Sequence, residues 1–400
     1  VIDRAKRKQK WRLTLASLVL ILGTFLYFKN RRCILPFQRF AYHGPRNFTP
    51  PFDILPLSPW QFEAELPSGY HGKSIQVETT RSGDSYQEIW LIDSSRYDPI
   101  VIVYHAESGS WEEISPYVGD TRLFVHELFV TADGSVWGSV MWNPVQNTPV
   151  VDSVPVLARF NDDTRAFELE QNVLEVPVST GQDFRFPNIL LDEQDVFWIF
   201  VDGGGLYTYD PALQRTEKQA DFPEDFMVDT AALAPDGSIY IEQHQEWPNS
   251  RLTEDTLFQF FPEAGELVSL GAPDEEWPFF DGMVVDHTGR LWLGAIGYRE
   301  PSGDWHLTIN HLKDYLRHID ADHYFWAAPK VMLESSTGIL WYRKYFDSYP
   351  WTEGTAWYDP DTGRGCLFTN QPAFVIEDAV QRLWLAAGGN LYSYSLVPPE

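Results

Sequence analysis

Three side chains able to bind metal fall at one position of a recurring pattern. His126, Asp229 and Asp281 each stand eleven residues before an aromatic (Trp137, Tyr240 and Trp292), Glu127 sits beside the first, and Lys330 holds the same place before Trp341. Imidazole nitrogen and carboxylate oxygen are ligands for divalent cations, so repeats that converge would make His126, Asp229 and Asp281 a candidate site for Ca²⁺ or Mg²⁺. The matching activity is that of a metal-dependent lyase or lactonase. Lys330 opposes a cation there, and no spacing motif demands one. The plainer reading is a set of polar residues lining a wet channel, and no other cofactor is expected.

A second group could recognise a partner. Trp142, Trp247, Tyr298, Trp305, Tyr349 and Trp351 lie in the segments 142–155, 244–255, 297–306 and 345–354, which read as long insertions between strands. Large aromatics on loops are common interface anchors; the alternative is that each ring covers its own loop. The sequence has no P-loop, dinucleotide motif, CxxC pair or Ser-His-Asp arrangement. Cys33 and Cys366 are the only cysteines, so no disulfide framework holds the chain.

The elements that must position these residues are visible as a repeat. VTADGSVWGSV at 130–140, LAPDGSIYIEQ at 233–243, VVDHTGRLWLGA at 284–295 and LESSTGILWYRK at 333–344 are its clearest copies. LLDEQDVFWIF at 190–200, IEDAVQRLWLA at 376–386 and QEIWLID at 87–93 are degenerate ones. The repeat aromatics Trp90, Trp137, Trp198, Tyr240, Trp292, Trp341 and Trp384 are 42 to 61 residues apart, close to the length of a four-stranded propeller blade. Asp-Gly at 133–134 and 236–237 provides the positive φ of a tight hairpin, and the apolar-aromatic strand after it fills the space between blades. Third strands follow, as in GLYTYDP, TAWYDPDTG and NLYSYS. The expected fold is all-β: a seven-bladed β-propeller of four-stranded antiparallel blades. The last copy ends at Leu396 without a fourth strand, and the alternating segment 59–66 is expected to supply it and close the ring.

Charge divides the chain. Its formal net charge is −27, yet residues 1–40 hold ten Lys or Arg and one acid, so the acidity is concentrated in the remainder. Such a body repels phosphate backbones, which argues against nucleic acid as a partner. Residues 13–28 carry no charge. Trp11, Arg12, Leu13, Tyr27, Phe28 and Lys29 mark their ends as aromatic and basic interfacial anchors, and together these features predict an N-terminal transmembrane α-helix in the lipid bilayer. The expected organisation is a short basic cytoplasmic tail at 1–12, the helix at 13–28, a Pro-rich tether at 29–58 and the propeller at 59–400. Six basic residues before the span against four after it place the N-terminus inside and the propeller on the outer, periplasmic or extracellular side of the cell membrane.

The D-x-x-G-x-L-W segments followed by L-Y-x-Y-D-P resemble the repeats of two-component-regulator propellers and, more loosely, of streptogramin-lyase-like propellers. The resemblance implies an extracytoplasmic sensing or binding module attached through a membrane helix. The expectation is that this chain has no kinase or DNA-binding output region. The function expected is a membrane-tethered binding or scaffolding propeller, an accessory subunit of a larger membrane complex, whose partner is a protein or a glycan.

Overall fold

A computed structural model describes residues 61–67, 75–79, 88–93, 100–114, 117–118, 121–142, 153–173, 175–177, 188–243, 256–271, 282–294, 297–307, 330–344, 354–361, 364–369, 374–378, 381–387 and 389–396. Among the described residues no helix is long and apolar enough to cross a membrane. Residues 1–58 lie outside them, and with them Trp11, Arg12, Leu13, Tyr27, Phe28 and Lys29 of the expected anchor.

The chain is a seven-bladed β-propeller of antiparallel sheets. Six blades have four strands, and blade 2 adds the short strand Tyr117–Val118 to the inner side of Thr121–Val130. Inner strands of successive blades lie side by side around the ring axis. Blade 7 takes its outer strand from the start of the domain: Gln61–Glu65 pairs antiparallel with Asn390–Ser395, from Gln61 opposite Ser393 to Glu65 opposite Asn390. Leu66 then donates its N–H to the Gly389 carbonyl at 2.8 Å. Alternation in the closing strand is less regular than its sequence pattern. A bulge between Phe62 and Ala64 shifts the register, and Phe62 is 55% exposed against the edge of Tyr392, while Ala64 and Leu66 face the core.

The core is divided among the junctions between blades, and each repeat aromatic plugs one of them. Trp90 and Phe160 meet between blades 1 and 2, Trp137 and Phe197 between 2 and 3, and Trp198 and Phe260 between 3 and 4. Tyr240 packs with Leu291 between 4 and 5, Trp292 with Tyr342 between 5 and 6, and Trp341 with Leu383 between 6 and 7. Trp384 packs with Ile89 and Leu66 between 7 and 1, so residues 61–66 close the ring twice, by pairing on blade 7 and by packing against blade 1. Deleting a buried side chain of this size costs about 3–5 kcal/mol, so the sequence repeats what the packing most needs.

The turn between first and second strands has one geometry in six blades. The residue at its start (Thr131, Asp192, Ala234, Asp286, Ser335 or Asp378) donates its N–H to the carbonyl four residues on, and its own carbonyl accepts from the N–H three residues on. That third residue is left-handed: Gly134, Gly237, Gly289 and Gly338 supply φ near 80° without a Cβ penalty, and Asp195 (62°) and Gln381 (57°) adopt the same region. In blades 3, 5 and 7 the turn begins with Asp, and its carboxylate also accepts a 2.8 Å hydrogen bond from the indole six residues later, at Trp198, Trp292 and Trp384. The turn is thereby bonded to the aromatic that fills the junction.

Candidate functional site

The two ends of the ring differ in construction. The end that carries the first turns is clasped from blade to blade. The Ala132 N–H of blade 2 donates to the Asp195 carboxylate of blade 3 at 2.8 and 3.0 Å. The His287 N–H of blade 5 donates to Glu334 Oε2 of blade 6 at 2.7 Å, and the Ser336 N–H of blade 6 donates to Glu377 Oε2 of blade 7 at 2.6 Å. Between blades 1 and 2 an ionic chain takes this role. His105 lies 3.2 Å from Glu88 and 3.0 Å from Glu112, and Arg165 grips Glu112 through Nε at 2.9 Å and Nη2 at 2.5 Å and reaches Asp162 at 3.0 Å. The Arg165 hydrogen bonds hold the Glu112 carboxyl below its ordinary range, against the opposing effect of burial.

The opposite end carries the connections between second and third strands. In blades 3, 5 and 7 these are the short segments 202–204, 294–296 and 388–389. In blades 2, 4 and 6 they are 143–156, 244–256 and 345–353. The same three blades, and no other described ones, have a bulge in the inner strand next to this end: between Val125 and Glu127, Val228 and Thr230, and Val331 and Leu333. A bulge adds a residue and turns the local strand, a device often found beside functional surfaces. His126 and Asp229 are the extra residues of two of these bulges, both half-buried, so their equivalence in the sequence is an equivalence in the fold.

Lys330 begins the inner strand of blade 6, while Asp281 lies outside the described residues. Among the described residues no three His, Cys, Asp or Glu side chains are grouped as a metal site would need.

The aromatic set divides. Trp142 is the last residue of the second strand of blade 2, at the loop end, and Trp247, Tyr349 and Trp351 lie outside the described residues within the long connections of blades 4 and 6. Tyr298 and Trp305 are placed differently from expectation. Segment 297–306 is the third strand Gly297–Arg299, a turn, and the start of the outer strand Trp305–Leu307. Tyr298 packs 4.5 Å from the Trp292 ring and stacks on His306 at 4.9 Å; Trp305 packs against the junction between blades 4 and 5, with the Arg299 guanidinium 5.8 Å from its ring. Gly297–Arg299 pairs antiparallel with Leu291–Leu293 on one side and Trp305–Leu307 on the other, and the Gly-Tyr start of the segment disguised this strand as a loop.

Sequence reasoning missed the indole-to-Asp bond and the cross-blade clasps. The first had a visible signal, since Asp stands six residues before Trp at 192, 286 and 378. The second had a weaker one: Glu334 and Glu377 immediately precede their turns.

The fold defines the class: the chain is a propeller repeat protein. No family model matches it, and no curated protein matches it in sequence. Solved structures match in shape. Selenomethionine-substituted virginiamycin B lyase from Staphylococcus aureus aligns with a TM-score of 0.50 at 12% identity, over 81% of this chain and 99% of that one. YCF48 bound to D1 peptide aligns at 0.49 and 10% identity, over 84% and 99%. PorZ, a surface component of the type-IX secretion system of Porphyromonas gingivalis, aligns at 0.47 and 12% identity, over 80% of this chain and 46% of that one. At these identities the likeness speaks for the fold alone.

Proposed function

We propose that this chain is a membrane-tethered, extracytoplasmic propeller that serves as a binding or scaffolding subunit of a larger membrane complex, and that its working surface is the loop end of the ring. The observation that carries the reading is the segregation of long connections and inner-strand bulges to that end of blades 2, 4 and 6. Blade packing does not require them, because blades 3, 5 and 7 are built with short connections. Ordering a long connection costs conformational entropy, and a binding surface is the usual return. Trp142, Trp247 and Trp351 are the anchors of this surface, facing a protein or a glycan. The apolar run at 13–28 with its basic flanks supports the tether.

Two experiments test this. Protease added outside intact cells should release the acidic domain by cutting near residues 40–58; protection of the whole domain would put the propeller inside. Replacing Trp142, Trp247 and Trp351 together by Ala should shift the tagged chain on native gels of solubilised membranes from a larger assembly to its own size. Its melting temperature should stay unchanged. Trp305→Ala should do the reverse, costing roughly 2–4 kcal/mol of stability with the assembly intact. If the triple variant still migrates with the larger assembly, the loop end is not the working surface.

A further inference from the structure

The strand Gln61–Glu65 does more than close the ring. Phe62 stands opposite Tyr392, and their rings meet edge to face at 6.0 Å, so Phe62 lies on the side of blade 7 that faces blade 6. The bulge between Phe62 and Ala64 lets the next apolar residue turn to the other side, toward blade 1. Phe62 is 55% exposed, and Tyr392, Tyr394, Leu396 and Trp357, which pack on the same junction between blades 6 and 7, are half-buried. The other large apolar side chains that stand out among the described residues, Leu213 and Val268, belong to blades 3 and 4. Single exposed apolar residues are ordinary, but a contiguous aromatic patch calls for a cover.

The patch runs toward the turn end. The Leu396 N–H donates at 2.9 Å to the carbonyl of Gln381, in the first turn of blade 7, and antiparallel pairing brings the chain to Gln61 from the direction of Tyr394 and Leu396. The segment that leads there, residues 50–59, lies outside the described residues. Its sequence, PPFDILPLSP, holds four prolines and four large apolar side chains (Phe52, Ile54, Leu55 and Leu57) against a single charge, Asp53. A solvated tether is polar, whereas a stiff, apolar, Pro-rich segment is what aromatic-lined surfaces bind.

We propose that residues 50–59 dock on this patch as a strap over the rim of blades 6 and 7. Their proline rings and apolar side chains bury Phe62, Tyr392 and Tyr394, and the prolines hold the segment extended beforehand, so little chain entropy is lost on docking. The strap is joined to the patch through Trp60, two residues from Phe62, so the contact forms within one molecule at high effective concentration. It leaves 29–49 as the free part of the proposed tether. It also holds the turn end beside the point where the chain leaves the domain, which directs the loop end away from the bilayer. That orientation rests on the proposed membrane tether, whereas the strap does not.

The test is limited digestion of the full chain in nanodiscs with chymotrypsin, which cuts after large apolar residues. Mass spectrometry of the released domain compares the bond after Phe52 with the bond after Phe48, which precedes the strap. Phe62→Ser, and separately Ile54→Ser with Leu55→Ser, should raise the ratio of Phe52 to Phe48 cleavage about tenfold over the parent, as a protected segment opens. Phe62→Ser leaves the sequence around both bonds unchanged. If it does not fold, the double Ser variant, which alters no residue of a described strand, decides the same point. The variant lacking Trp142, Trp247 and Trp351 should digest like the parent, so the strap and the proposed function stand or fall separately. An equal ratio in parent and variants would overturn the strap. So would parent protection that disappears when amphipol replaces the lipid, which would assign the patch to the bilayer, or protection found only at high protein concentration, which would assign it to a second copy.

Discussion

Six turns at one end of the ring repeat the same pair of backbone hydrogen bonds and the same left-handed residue, whereas the connections at the other end range from 388–389 in blade 7 to 143–156 in blade 2. The difference teaches where the fold is specified. Turn residues that bond to their own aromatic and to the next blade cannot change without loosening a junction. Connections beyond the second strand share no such geometry. Segment 202–204 of blade 3 bonds to blade 4, with the Gly203 N–H donating to the Phe226 carbonyl and Asp202 Oδ1 accepting from the Val228 N–H, while blades 2, 4 and 6 have longer segments at the same place. Variation of that kind reports use rather than packing. Blades 2, 4 and 6 sharpen the contrast, since their extra inner-strand residues sit at the variable end while their turns keep the common geometry.

The contrast presupposes a closed ring, and the largest effect should come from opening it. Deleting residues 61–66 removes the outer strand of blade 7 and the Ala64 and Leu66 contacts with blade 1, leaving Asn390–Ser395 as an unpaired edge beside exposed Ile102 and Tyr104. The loss should exceed about 4 kcal/mol and appear as aggregation or a non-cooperative melt. A sharp transition at the parent temperature would mean the ring does not depend on its first strand.

Much of this architecture was legible in the sequence because it rests on local chemistry. The Asp-Gly turns at 133–134 and 236–237, the aromatic six residues past each turn start and the lone strand-like segment before the first blade follow from backbone sterics and period-two burial. Their consequences, seven blades and an outer strand borrowed from the start of the domain, agree with the structure. The loop end was less legible. Tyr298 and Trp305 looked like loop anchors because blade 5 is built from three-residue strands, too short to show alternation. Inner-strand bulges leave no mark in composition. The equivalence of His126 and Asp229 was readable by counting, but which side chains share a surface depends on contacts between blades, and spacing within one blade does not encode those.

Asp286 tests the turn end at a single residue. Burial raises its pKa, but hydrogen bonds from Thr288, Trp292 and Arg290 outweigh that and hold it below the ordinary carboxylate value. Asp286→Ala strands the buried Trp292 indole and the Arg290 guanidinium and should cost about 3 kcal/mol, whereas Asp236→Ala, at an exposed turn position of blade 4, should cost less than about 1 kcal/mol. A depressed folded pKa gives stability that is present above the unfolded pKa and is lost as pH falls through the folded one. The gap between parent and Asp286→Ala in chemical denaturation should therefore narrow on the acid side. Equal costs for the two variants would break the link between buried turn carboxylate and junction aromatic.

The smallest effect belongs to the clasp between blades 5 and 6. His287 Nδ1 lies 2.7 Å from Glu334 Oε1, and this hydrogen bond raises the imidazole pKa above its usual value, with the Glu334 charge adding to it. A raised folded pKa contributes stability that is fully present below the unfolded pKa and is lost as pH rises through the folded one. The ring is largely exposed, so solvent screening keeps its share below about 1 kcal/mol. His287→Ala removes the ring but keeps the backbone N–H that bonds Glu334 Oε2, which isolates the ionic part from the rest of the clasp. The melting temperatures of parent and His287→Ala should differ at pH 6 and converge by pH 9, and high salt should shrink the difference at pH 6. Glu334→Gln should abolish the pH dependence and also lower stability at pH 9, because it weakens the acceptor of that N–H. A parent and His287→Ala that differ equally at both pH values would show that the ring contributes by packing against the turn of blade 6, and the polar part of this clasp would then rest on the His287 N–H bond to Glu334.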